Sequence, residues 1–116
     1  MPETNEQIEQ EIVDKGLTAP RVTYAEIKAK MDQVVYRCHV IEGTTTTVAV
    51  ALLPMGEDFF SLAIGESACV DPKNFDKALG EKYAIQRAAA DAENKLWELE
   101  GYSLKKALTE NNSKEA

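Results

Sequence analysis

The sequence predicts an α+β fold: an N-terminal helix, a three-stranded antiparallel β-meander, then C-terminal helices packed on one face of the sheet. Two periodicities carry this. Apolar residues recur at every second position from Tyr36 to about Ile64, as in strands, and beyond Val70-Asp71-Pro72 they recur at three and four, as in helices. Size sets the scale, because 116 residues suffice for one hydrophobic core and not for two ordinary ones. The chain divides into a flexible acidic arm over residues 1–20, a single domain over 21–110 and a disordered polar tail over 111–116.

The arm has Ile8, Ile12 and Val13 at helical spacing among Glu and Gln, and it stops at Gly16 and Thr18-Ala19-Pro20. Thr23 stands before Tyr24-Ala25-Glu26, so its hydroxyl can cap a helix from Tyr24 to about Gln33, with Glu26 reaching back as a capping box. A first strand follows, with Tyr36, Cys38 and Val40 on one face and Arg37 and His39, flanked by Val35 and Ile41, on the other. Glu42-Gly43 turns the chain. The second strand, Thr44 to Leu53, is apolar on both faces and is expected at the centre of the sheet. Pro54 to Asp58 turns it again, and Phe60, Leu62 and Ile64 then alternate with Phe59, Ser61, Ala63 and Gly65 in the third strand. The connections are too short for a parallel crossover, so the strand order is one, two, three and antiparallel.

Asp71-Pro72 and then Asn74 or Asp76 offer helix starts. Phe75, Leu79 and Tyr83 recur at four, and Gly80 is read as a break before a longer helix with the stripe Ile85, Ala88, Ala92, Leu96 and Leu99. The alanines at 84, 88, 89, 90 and 92 keep that helix narrow, fit for close approach to the sheet or to a second copy in a homo-oligomer. Gly101 is read as a C-terminal stop, with one or two further turns from Tyr102 to Leu108.

Net charge is −7, of which the arm holds −4 through Glu3, Glu6, Glu9, Glu11 and Asp14 against Lys15. The chain has no basic stripe, so direct nucleic-acid binding is not expected. No apolar run reaches the ~18 residues of a membrane span, and no signal peptide opens the chain, which points to the cytoplasm. Cys38 and Cys69 form no CxxC pair, and with His39 as the one histidine they make no zinc site, so neither a metal nor a cofactor is expected. Two buried free thiols are the simplest reading.

The stretches Tyr36-Arg37-Cys38-His39-Val40, Gly43-Thr44-Thr45, Gly65 to Asp76 and Lys95 to Tyr102 stand in this order with Gly80 and Asp91-Ala92 between. In them the chain resembles an uncharacterised family of small tailed-phage proteins, labelled gene 49 / gene 66, over roughly its C-terminal 70 residues. Where that family usually has Asn-Gly-Phe between the second and third strands, Met55-Gly56-Glu57-Asp58-Phe59 stands here. The resemblance implies a phage protein, in the host cytoplasm, and brings no activity with it.

Glu66, Ser67 and Cys69 sit where the third strand meets the helical half, a place where loops present side chains to ligands. The plain alternative is that Ser67 bonds a turn, Cys69 fills the core and Glu66 is solvated. A Ser67 or Cys69 nucleophile would need His39 as its base, and nothing demands that pairing. Trp97, Tyr83 and Tyr102 with Arg87 and Lys95 offer stacking and charge for a nucleotide, although Trp97, one step off the Leu96 and Leu99 stripe, fits better as closing the core against the last turn or lining a subunit interface. The candidate binding set is Glu66, Ser67, Asn74, Arg87, Trp97 and Tyr102, with no catalytic residue. The resemblance, together with the lack of an active-site set and an alanine-rich helix face able to dock a partner, implies a non-catalytic phage accessory protein that binds a host macromolecule such as a host protein; a nucleotide-signal binder countering host defence is the alternative.

Overall fold

The structure, a computed structural model, describes residues 3–115, with side chains through 111. Helices α1 (Asn5–Asp14) and α2 (Tyr24–Met31) precede strands β1 (Val35–Val40), β2 (Thr46–Met55) and β3 (Asp58–Ala68). A single 3₁₀ turn (Pro72–Asn74) then leads into helix α3 (Lys77–Glu115). The strands form one antiparallel sheet in the order β1-β2-β3. Gly56, at φ +63, takes the first loop position between Met55 and its partner Asp58, followed by Glu57 with no positive φ, the pattern of a II′-type hairpin.

The register aligns side chains in rows across the sheet. The rows Tyr36–Ala51–Ala63, Cys38–Ala49–Gly65 and Val40–Thr47–Ser67 point inward, toward α3. Most of these side chains are small, and so are those of the helix above them: Gly80, Ala84, Ala88 and Ala92 recur at four. A Cβ added at Gly65 would overlap the Ala84 carbonyl oxygen and the Ala88 amide nitrogen, and one at Gly80 would fall 2.6 Å from Thr47 Oγ1. The alanine face thus lies on the chain's own sheet, with Ala84, Ala88 and Ala92 fully buried. Ile27 from α2, Val34, Leu62 and Leu96 close the larger end of the core.

Strict alternation fails once in β3. The pairing shifts between Ala51 and Leu52, so Leu62 is an extra residue, a β-bulge. Leu62 and Ala63 both pack with the core, while Ile64, expected on the face of Leu62, stands outward at 64% exposure.

The C-terminal helical region is one helix. Gly80 does not interrupt α3 and Gly101 does not stop it, because a helix-interior glycine costs only about 1 kcal/mol relative to alanine. At Gly80 close contact with Thr47 compensates; the Leu-, Lys- and Glu-rich sequence around Gly101 continues the helix. Helix also runs on through Glu115, where a disordered tail was expected over 111–116; residue 116 lies outside the described residues. At 1.5 Å per residue, about 28 Å of helix extends beyond Leu96. The radius of gyration is accordingly 18.6 Å, against about 13 Å for a compact chain of this length.

Thr23 caps α2 by accepting from the Glu26 amide at 3.2 Å, but α2 shows no reciprocal bond from Glu26, and it ends at Met31 rather than near Gln33. The α2 amide of Tyr24 instead donates to Glu9 of α1, at 3.0 Å. Both Glu9 oxygens also take Arg21, at 3.0 and 2.8 Å. These bonds hold the Glu9 carboxyl below its ordinary range, the Arg21 hydrogen bond foremost. α1 itself begins with a complete capping box between Thr4 and Gln7 and buries no residue.

Candidate functional site

Where β3 ends and α3 begins, the chain leaves a cleft of about 210 Å³. Thr45, Ser67 and Cys69 line it from the sheet, Asn74 and Phe75 from the 3₁₀ turn, and Asp76, Leu79, Gly80 and Tyr83 from the start of the helix. Local sequence builds this corner. Asp71 accepts from the Lys73 amide at 2.9 Å, with Pro72 fixed behind it, which tightens the turn. Asp76 then accepts from the Leu79 amide at 3.0 Å and starts α3.

The polar groups of the cleft are largely committed to backbone. Ser67 Oγ donates to the Gly80 carbonyl at 2.6 Å, the Thr45 hydroxyl donates to the Cys69 carbonyl, and the Cys69 thiol donates to the Asp71 carbonyl at 3.5 Å. Among the described residues no Lys, Arg or His lines the cleft, and the one carboxylate in its lining is Asp76. Its rim is apolar: Phe75, Leu79 and Tyr83 are exposed, and Val70 stands wholly in solvent beside Cys69.

Of the sequence candidates, Ser67 and Asn74 meet here. Glu66 is outward on the sheet, in the row His39–Val48–Glu66, and its carbonyl takes Arg87 Nη1 at 2.6 Å. That bond occupies a carbonyl on the edge strand, which covers part of an otherwise open edge. Trp97 is half-buried against the core. Tyr102 is 70% exposed on the projecting part of α3, about 28 Å along the helix from Tyr83. The aromatic and cationic residues are therefore spread along α3 and do not form one pocket. His39 stands outward while Ser67 points inward, so the sheet separates them.

The Cys38 thiol, inward on β1, is pushed up by burial and then by the charge of Glu81. Burial likewise raises the Tyr36 phenol. Among the described residues no group of three His, Cys, Asp or Glu is placed to hold a metal ion, and no helix is long and apolar enough to cross a membrane.

The Phe75-Leu79-Tyr83 repeat is legible in the sequence but its place on the cleft rim is not, because two four-residue repeats overlap at the start of α3. Leu79-Tyr83 and Gly80-Ala84 are offset by one residue, and only one of them can face the sheet. The smaller pair does, which leaves the larger in solvent.

Residues 22–108 match the Phage protein (N4 Gp49/phage Sf6 gene 66) family, and the chain belongs to that family. The match takes in α2, the whole sheet and α3 as far as Leu108, and leaves α1 outside. No curated protein matches the chain.

Proposed function

We propose, from the premise that this is a phage protein, that it is a non-catalytic accessory protein that binds a host protein in the cytoplasm of the infected cell. The cleft at the start of α3 carries this reading: an apolar recess rimmed by exposed Phe75, Leu79 and Tyr83 suits one large apolar side chain of a partner. Contiguous exposed apolar surface on a small protein generally marks an interaction site. At about 210 Å³ the recess falls below the ~300–1,000 Å³ usual for small-molecule pockets. A nucleotide would meet Asp76 and no cation in the lining.

The separation of His39 from Ser67 and the backbone bonds made by Ser67 and Cys69 support a non-catalytic role. The test is capture from host lysate by the wild type and by Leu79→Glu and Tyr83→Glu, both at exposed positions. A specific host protein, identified by mass spectrometry, is expected to fall at least about tenfold with either variant; equal capture would sink the reading. Thermal denaturation with linear and cyclic nucleotides should show no shift, whereas a true ligand at 100 times its Kd would add about 2.7 kcal/mol.

A further inference from the structure

α3 covers one face of the sheet, and among the described residues no helix packs on the other. The outward rows on that bare face are Val35–Leu52–Ser61, Arg37–Val50–Ile64 and His39–Val48–Glu66. Arg37 reaches over the Phe59 ring, 5.0 Å from its centroid, and Leu52 is left with 8% exposure. Val35 and Ile64 remain exposed, and Val48 and Val50 half-buried. An antiparallel sheet with one free face ordinarily turns polar residues outward. This face is aliphatic along its centre instead.

We propose that a second copy of this chain covers the bare face, the two sheets packing face to face about a two-fold axis parallel to β2. Charge selects both the occupant and the axis. The molecule carries −7, yet these rows hold only Glu66 as an acid, on β3, against Arg37 and His39 on β1. Two copies therefore meet here without opposing their acidic excess.

An axis along β2 sets each β1 over the partner's β3. Glu66 of one copy then meets His39 of the other, with Arg37 one row away, and Val48 and Val50 face their own counterparts. An in-plane axis across the strands would instead set β1 on β1 and β3 on β3, leaving Arg37 with no acid across the interface. Aligned packing of this kind is a common arrangement for two sheets. Three strands and three rows give a flat footprint of about 14 by 20 Å. That is about a third of the ~800 Å² per partner in a standard interface, so the dimer is weak and reversible.

Sedimentation equilibrium of the full chain tests this. A reversible monomer–dimer equilibrium is expected, abolished by Ile64→Asp. Glu66→Lys and His39→Glu should each weaken it about tenfold, and the double variant His39→Glu/Glu66→Lys should recover most of the loss. All three positions of change are exposed, so unchanged circular dichroism and thermal unfolding will show that the fold holds. A monomer at every concentration, a dimer indifferent to Ile64→Asp, or charge variants that neither weaken nor rescue it would overturn the proposal. Because the cleft lies on the helix side, lysate capture through Leu79 and Tyr83 can succeed or fail independently.

Discussion

The two faces of the sheet are built on opposite terms. The face under α3 is lined mainly by Thr47, Ala49, Ala51, Ala63, Gly65 and Ser67, and the bare face by Val48, Val50, Leu52 and Ile64. Along β2 as far as Leu52, and in β3 beyond the bulge, the larger aliphatic side chains are thus outside and the smaller ones inside, while Leu62 itself fills the core. Closeness accounts for this: small residues on both layers let the helix backbone touch the sheet at Gly65, so that main-chain atoms and methyl groups pack at van der Waals contact over three turns. A row of valines in their place would hold the helix off.

The largest expected effect breaks that contact. Gly65→Ala puts a methyl group into the backbone of α3 and should cost about 3 kcal/mol in urea unfolding. A loss below about 1 kcal/mol would mean that the helix stands further away than described.

Next comes the bulge. Leu62, at 1% exposure, should lose about 2–4 kcal/mol as Ala, while neighbouring Ile64→Ala should change monomer stability by no more than about 0.5–1 kcal/mol. Equal losses would show that the register shift is misplaced.

A smaller effect has the opposite sign. Thr47 Oγ1 is buried with no hydrogen-bond partner, so Thr47→Val should stabilise by about 1 kcal/mol. Destabilisation would show that the hydroxyl has an acceptor after all.

The smallest is a pH effect confined to the inward face. The raised Tyr36 and Cys38 groups favour their neutral forms in the fold, so the stability they lend is whole below the ordinary thiol and phenol ranges. It shrinks as pH rises through their raised values. Urea midpoints should therefore fall in alkali more for the wild type than for Tyr36→Phe/Cys38→Ala. Parallel curves would show that neither group is shielded.

Much of the fold is legible residue by residue. The period of two in β1 and β2, the Gly43 and Gly56 turns and the Asp71-Pro72 and Asp76 starts each act through neighbours a few positions away, and each is found in the structure. The capping box of Thr4 and Gln7 was equally local, an unread Thr-x-x-Gln signal. Glycine misled where its local cost was set against a whole helix: Gly80 and Gly101 both lie inside α3. The candidate site was less readable. Ser67 and Asn74 converge on one cleft, but Trp97 and Tyr102 lie far along the same helix, and composition alone does not order residues along an axis.

By itself, the sequence determined which segments are strand and helix, the antiparallel order of the strands and the net negative charge. These follow from short-range sterics, loop length and charge. Only the tertiary structure decided which face of β2 is covered, that Leu62 and Ile64 part company at a bulge, and that the helix chooses Gly80-Ala84 over Leu79-Tyr83. Those choices turn on how closely two backbones approach, a property of two segments together that neither one encodes alone.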